Sequence, residues 1–447
     1  MIDTFTIRCN ILHLAFSGKL TNQIKEEGTA KDILDLISNR KPLVSVEDGP
    51  YTLPDSWAWV RLKDLYKINP RIIADNDTEA AFIPMERISG GFDRSFTFEI
   101  QKWKKASKNH TKFEDGDIAF AKITPCFENR KSFIAQDLPN GIGGGTTELI
   151  ILRQKEMLPQ YTYYLVLDQR FISTGTASYK GVVGQQRVQS DVIKNYLVPV
   201  APYSEQKRIV KKIEQVFSIL DTIDELQAQY ADNLTALKSK LIDAAIQGKL
   251  TEQLPEDGTA EELYQQIQEE KQKLIKEGKI KKQKPLPEIT DDEIPFDIPE
   301  NWKWVRLGKL ISIESGRGLT ASNMNPGDFP VYGGNGIAGY HNCGFVPSKT
   351  IVIGRVGYYC GSVHITEKES WVTDNAFVTS YPEKHIDKYY LAYTLQHMKL
   401  GQNNNGAAQP VVSGKKIYPL AFPLPPLAEQ KRIVQKLEEI LPLCKKQ

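Results

Sequence analysis

Glu114, Asp115 and Asp117 stand shortly ahead of Lys122, the grouping in this 447-residue chain nearest to a hydrolytic centre. Acids beside a lysine can hold magnesium and steady a phosphate for cleavage, but the same residues read more simply as a loop entering a strand. His110, His341, His364, His385 and His397 have no metal-ligand spacing. Cys9, Cys126, Cys343, Cys360 and Cys444 are odd in number and form no CxxC pair, which argues against a zinc site and a disulfide framework. A reducing cytoplasm is the expected compartment. The run Gly333 to Gly339, GGNGIAG, lacks the Lys-Ser/Thr of a phosphate-binding loop and the surroundings of a dinucleotide site. There is no Asn-Pro-Pro-aromatic motif of an amino-methyltransferase. No catalytic, cofactor-binding or metal-binding residue is therefore expected in this chain.

What the chain does carry is a long-period repeat. GKLT at Gly18 to Thr21 recurs at Gly248 to Thr251, each time followed by Gly-Thr-Ala, at Gly28 to Ala30 and Gly258 to Ala260. WxWVRL at Trp57 to Leu62 recurs at Trp302 to Leu307, and EQKRIV at Glu205 to Val210 recurs at Glu429 to Val434. The offsets are 230, 245 and 224, too long for a solenoid unit, so a whole module is duplicated. Between the second and third phrases the first copy is 21 residues longer, and its Phe82 to Arg153 has no visible counterpart in Gly316 to Thr379. One architecture with two different recognition surfaces is expected.

Ser204 to Gln247 contains no Gly or Pro, and Ile209, Ile213, Val216, Leu220, Ile223, Tyr230, Leu234, Leu237, Leu241 and Ala244 recur at spacings of three and four. Gln227 alone interrupts this seam, which predicts a coiled-coil strand about 65 Å long with Ser204 as its N-cap. The repeat supplies its partner. Ile433, Leu437, Ile440 and Cys444 match Ile209 to Leu220, while Ile7, Ile11 and Leu14 match Leu237 to Ala244. By these registers Gln447 corresponds to Ile223 and Met1 to Ala231, so the chain ends together rebuild a second long helix beside the middle of the first. The start of the chain is thus read as a retained helix and not a signal peptide, its apolar stretch being broken by Arg8, Asn10 and His13.

The expected organisation is an N-terminal helix at 1–25, a linker at 26–55, a recognition domain at 56–203 and the central helix at 204–248. A charged helix and linker at 249–300, a second recognition domain at 301–426 and a C-terminal helix at 427–447 follow. The fold class is mixed α/β, two such domains separated by a long antiparallel helical pair in a pseudo-two-fold, nearly cyclic arrangement that would act as a ruler. No apolar run reaches membrane-spanning length. Ser56 to Val200 has 20 Lys and Arg against 16 Asp and Glu, and Asn301 to Pro426 has 12 against 7, although the whole chain carries only +2. The positive charge sits where a phosphate-binding surface would need it. Trp57, Trp59, Trp302 and Trp304 repeat outside the variable parts, which favours anchoring of the domains to the helices over stacking on bases.

At EQKRIV, at GKLT and along IPFDIPENWKWVRLGKL (Ile294 to Leu310), the chain resembles the specificity subunit of type I restriction-modification enzymes over essentially its whole length. The resemblance implies a non-catalytic subunit that reads a bipartite, asymmetric site in double-stranded DNA. It would direct two modification (methyltransferase) subunits and, through the complex, restriction/translocase subunits. S-adenosylmethionine, ATP and magnesium would belong to those partners.

FIPMERISGG, FEDGDIAFAKITPCFENRKSF and GIGGGTTELIIL are similar to a common recognition-domain type, which implies that Lys122, Thr124, Asn129 and Lys131 lie on or near a DNA-facing loop. Lysine can contact phosphate or guanine and asparagine can pair with adenine, while Gly141, Gly143, Gly144 and Gly145 would allow close backbone approach before Thr146 and Thr147. PVYGGNGIAGYHNCGF, IVIGRVGYYCGSV and WVTDNAF are similar to another type. Here Tyr332, Asn335, Tyr340, His341 and Arg355 are the candidates, with Arg317 and Asn323 on the preceding loop. Arg355 between glycines suits groove insertion or, equally, an internal salt bridge with Asp374. A self-contained nuclease or methylase and a coiled-coil adaptor are the competing readings.

Overall fold

The computed structural model describes residues 1–38, 49–182, 184–277, 285–401 and 411–444, and the chain divides into two compact units, Met1–Gln227 and Ala228–Gln447. Helix α1 (Thr4–Phe16) starts where the Asp3 carboxylate accepts from the Thr6 amide. Helix α2 (Ala30–Ser38) lies in the stretch expected to be linker, yet Ala30, Ile33 and Leu34 are buried in the core of the first unit. An amphipathic face this short is easily mistaken for a connector, because it shows only one repeat of its apolar spacing.

In the first unit, strands Lys67–Ile68, Leu149–Arg153, Ile118–Ala121 and Ser132–Ile134 form an antiparallel sheet in that order. A second sheet runs Glu99–Lys102, Glu79–Ile83, Ile142–Gly145, Thr111–Glu114, with its central pair parallel. Ala58–Arg61 pairs separately with Leu197–Val200. The second unit has a four-stranded sheet, Ser312–Ser315, Ala376–Ser380, Ile351–Gly354, Val363–Ile365, and a three-stranded one, Gly336–His341, Phe329–Gly333, Trp371–Val372. Lys303–Arg306 pairs with Ala421–Leu424, as its counterpart does in the first unit.

Helix α3 spans Tyr203–Ile246, 44 residues or about 66 Å at 1.5 Å per residue. It begins one residue before Ser204, which therefore sits in the first turn and does not cap it. Alongside its first part, α1 runs antiparallel. Ile2 exchanges backbone bonds with the Gln227 amide at 2.6 and 3.2 Å, Thr4 Oγ1 donates to Asp224 at 2.6 Å, and Arg8 donates to Asp224 and Asp221. The start of the chain thus lies at the residue that interrupts the seam. Ile209, Ile213 and Leu220 are buried, but Tyr230 and Leu237 are 51 and 45 % exposed, so the seam is not covered evenly.

Helix α4 (Ala260–Lys276), in the stretch expected to be a charged helix and linker, buries Leu263 and Ile267 in the second core, and Lys271 Nζ donates to the Gly308 carbonyl at 2.7 Å. Helix α5 (Leu427–Ile440) is shorter than expected. It tightens into a 3-10 turn at Leu441–Cys444, where Pro442 cannot donate into an α-helical ladder. Gln447 lies outside the described residues, as does the Lys-rich stretch 278–284. Among the described residues, no helix is long and apolar enough to cross a membrane.

The duplicated phrases meet at one carboxylate in each unit. Glu205, 1 % exposed, accepts from Trp57 Nε1 at 2.8 Å, Thr21 Oγ1 at 2.9 Å and Gln23 Nε2 at 2.7 Å. Glu429, fully buried, accepts from Trp302 Nε1 at 2.8 Å, Thr251 Oγ1 at 3.1 Å and Gln253 Nε2 at 2.8 Å. The following Gln206 accepts from the Leu158 amide and donates to the Ala201 carbonyl; Gln430 does the same with Asp387 and Pro425. Arg208 then clamps Glu27, and Arg432 clamps Asp257. Gly18 and Gly248 turn the chain with φ of +70° and +69°, and a Cβ at either would fall 2.4 Å from Cγ of Pro54 or Pro299. Trp57 and Trp302 are therefore anchors of the strand pairs on the helices, as their repetition implied.

Candidate nucleic-acid interface

In the first unit, strand Ile118–Ala121 delivers Lys122 to the surface, where its backbone is held on both sides. Its amide donates to the Glu148 carbonyl, and its carbonyl accepts from Val188. Thr124 is tied to Gln186 in the same way, the Thr124 amide donating at 2.9 Å and Oγ1 accepting at 3.1 Å. The turn that follows exposes Asn129, whose carbonyl accepts from the Gly91 amide at 2.7 Å. Thr147 is exposed, and the neighbouring Thr146 accepts from the Glu148 amide through its hydroxyl at 3.2 Å. Lys131 differs from the expectation, since its ammonium is folded back to donate to the Met85 carbonyl at 2.9 Å. The glycines differ too: Gly143, Gly144 and Gly145 are buried in a strand, and a Cβ on Gly144 would fall 1.9 Å from the Ala106 carbonyl. Gly144 and Gly145 admit neighbouring protein backbone, and Gly143 admits the Phe113 ring.

Two further features of this loop were not legible in the sequence. Arg130, between the two candidates Asn129 and Lys131, is 6 % exposed and has φ of +53°. Its guanidinium donates to the Leu167 carbonyl and the Gln169 side chain and stacks over Phe5 and Phe92 at 5.0 and 5.4 Å, pinning the loop to α1. Arg187 makes a bidentate pair with Glu148 at 2.8 and 2.9 Å and, with Lys122, holds that carboxyl below its usual range, the Arg187 hydrogen bond contributing most. The carboxylates considered for hydrolysis have structural partners. Arg153 binds Asp117 through two bonds and Glu114 at 3.0 Å, and Asp115 accepts from the Leu138 amide.

In the second unit, Asn323 and Asn335 are exposed and line one open cleft of about 780 Å³ with Thr373, Asp374 and Asn375. Arg355 adjoins it, donating to Ser315 Oγ at 3.1 Å and to the Asp374 carbonyl at 3.3 Å. The expected alternative, a salt bridge with the Asp374 carboxylate, is thus replaced by neutral oxygen acceptors among the described residues. Arg317 is exposed over the Phe345 ring at 4.1 Å, and Tyr340 is 53 % exposed. Tyr332 and His341 are not at this surface. Tyr332 is 4 % exposed in a core with Val346, Val352, Val372 and Ala376. His341 is 6 % exposed, packs edge-on to Trp371, and accepts from the Asn325 amide through Nδ1 at 3.0 Å.

Each unit thus offers a polar, partly cationic surface with hydrogen-bonding side chains on a fixed backbone, suited to phosphate and base-edge contacts. The family model for the type I restriction modification DNA specificity domain matches residues 54–229 and 299–444, more than half of the chain. The EcoAI specificity subunit of Escherichia coli is 31 % identical over 98 % of this chain and 88 % of that protein. The EcoEI specificity subunit of Escherichia coli is 37 % identical over 68 % of this chain and 61 % of that protein. Among solved structures, a chain described under complex assembly and conformational transition of the type I R-M system aligns with a TM-score of 0.67. It is 19 % identical and covers 88 % of this chain and 92 % of that one. The HsdS subunit from Thermoanaerobacter tengcongensis aligns with a TM-score of 0.52 at 19 % identity, over 89 % of this chain and 92 % of that one; at this identity both support the fold. The chain belongs to the family of specificity subunits of type I restriction-modification enzymes.

Proposed function

We propose that this chain is the DNA-reading subunit of a type I restriction-modification complex, with the first unit reading one half of a bipartite, asymmetric site and the second reading the other. The observation that carries this is the pair of carboxylate junctions at Glu205 and Glu429, which hold unlike sheets on matching frames. A frame kept constant while its contents differ is what two different half-sites require. Lys122, Thr124, Asn129, Thr146 and Thr147 would face the first half, and Arg317, Asn323, Asn335, Tyr340 and Arg355 the second. Two modification subunits per chain, one for each copy of the frame, would supply methyl transfer with S-adenosylmethionine. ATP and magnesium would serve the restriction/translocase subunits, all in the cytoplasm.

Reconstitution with the cognate modification subunit tests this reading. Native mass measurement should find two modification subunits per chain, and the complex should bind its site with an affinity that falls steeply with salt. One modification subunit at saturation would contradict the stoichiometry. DNA binding indifferent to sequence would contradict the role. A self-contained nuclease would need Glu114 and Asp117, and both are already paired with Arg153.

A further inference from the structure

The turn after Arg355 displays two tyrosine rings to solvent. Tyr358 is 89 % exposed and Tyr359 53 %, and they lie edge to face with centroids 5.0 Å apart. The backbone beneath them is closely determined. The Cys360 amide donates to the Gly357 carbonyl at 3.0 Å, Gly361 to Gly354 at 2.7 Å, Gly354 to Ser362 at 2.8 Å, and Ser362 to Tyr359 at 3.1 Å. Gly357 and Gly361 have φ of +90° and +86°, a conformation that disfavours side chains, and Cys360 between them is buried in the second core. The turn is also packed on its neighbour, for a Cβ on Gly334 would fall 2.8 Å from the Val356 carbonyl, and Ser362 Oγ donates to the Gly334 carbonyl at 2.8 Å.

We propose that Tyr358 and Tyr359 form a fixed aromatic prong that wedges against a base step in the half-site read by the second unit. This rests on the DNA-reading function proposed above. A folded chain has no reason of stability to hold two large rings out in water on a rigid turn, since each could bury upwards of about 150 Å² elsewhere. The surroundings favour a polyanion with flat apolar faces as the occupant. Arg355, three residues before Tyr358, bonds neutral oxygens, Asn335 lies beyond Gly334 in the adjoining cleft, and Asn301 to Pro426 carries 12 basic against 7 acidic residues. Arginine would fix phosphate or a base edge while the rings stack on a partly opened step, so that deformability of that step becomes part of the specificity.

The test uses the complete complex with its modification subunits and duplexes carrying the fluorescent adenine analogue aminopurine at successive positions of the second half-site. Apart from the adenine that a modification subunit extrudes for methylation, the wild-type complex should raise fluorescence at one step, reporting unstacking. The double variant Tyr358→Ala with Tyr359→Ala should abolish that rise and weaken binding about tenfold or more, while Tyr358→Phe with Tyr359→Phe should retain both. Discrimination at the first half-site should be unchanged in all of them. Binding within twofold of wild type together with an unchanged fluorescence profile in the alanine variant would overturn the prong. So would loss of modification-subunit binding with DNA contacts intact, which would assign the rings to a protein partner. If the wild-type complex does not distinguish its site from a shuffled duplex, the DNA-reading function itself fails and takes the prong with it.

Discussion

Trp57 and Glu205 stand 148 residues apart in sequence, and the indole Nε1–H of the first donates to the buried carboxylate of the second at 2.8 Å. Trp302 and Glu429 repeat the bond at the same distance. Because Thr21 and Gln23 donate to the other oxygen of Glu205, the carboxylate joins the end of the GKLT phrase, the domain's first strand and the long helix in one junction. Three donors thus share the two oxygens of one buried carboxylate.

Glu205→Gln should therefore be costly although it is nearly isosteric. The new amide nitrogen must face either the buried Trp57 indole, leaving its N–H unsatisfied, or the part-buried Thr21 and Gln23, and the lost charge-assisted bonding costs about 1–3 kcal/mol. The first unit should melt earlier, with the second unit unaffected; Glu429→Gln should do the reverse. Hydrogen exchange resolved by segment checks this, and equal protection in variant and wild type would contradict it.

Acid should release α1. The Thr4 hydroxyl, together with Arg8, holds the Asp224 carboxyl below its ordinary value of 3.8. A lowered folded value means that the contribution is complete above 3.8 and is lost as pH falls through the folded value. Protection of α1 amides, corrected for intrinsic exchange, should drop across that interval, and Asp224→Asn should show lowered protection already at neutral pH. A variant with wild-type protection at neutral pH would remove Asp224 from this role.

Arg130 should act as a positioning residue for the loop that carries Asn129. Arg130→Ala should impair discrimination at the first half-site and leave the second intact. Arg130→Lys should not rescue it, since one ammonium cannot reproduce the bonds to Leu167 and Gln169 together with stacking on Phe5 and Phe92. Half-site methylation assays decide this; full rescue by lysine would show that charge alone suffices.

Surface and core candidates should separate cleanly. Lys122→Ala should leave the melting temperature unchanged, weaken DNA binding and lower the salt slope by about one. Tyr332→Ala should instead cost about 3–5 kcal/mol of stability in the second unit, by analogy with other buried aromatic truncations. The reverse pattern would mean that the bound conformation exposes Tyr332.

The frame was legible because it is periodic and repeated. Three- and four-residue spacing foretold a helix that spans Tyr203–Ile246, and the recurring tryptophans foretold anchors. The sites were less legible. Tyr332 lies on a strand, Phe329–Gly333, whose residues are buried on both faces after the first, so alternation gave no clue to which side chains reach solvent. The segment around Arg187 has neither helical nor strand period, yet it supplies the partner of Glu148. Helices α2 and α4 bury only a narrow apolar face, hidden among charges in the sequence. Arg130 looked like one more surface cation in ENRKSF, and only tertiary structure places Phe5 and Phe92 around it.

Exchange of Ser56 to Val200 for the corresponding segment of another specificity subunit, followed by methylation mapping across a genome, tests the central claim most directly. The junctions at Glu205 and Glu429 lie outside the exchanged stretch except for Trp57, which the incoming segment must also carry. Independent reading predicts that one half of the methylated site changes and the other is retained base for base. Both halves changing together would contradict it.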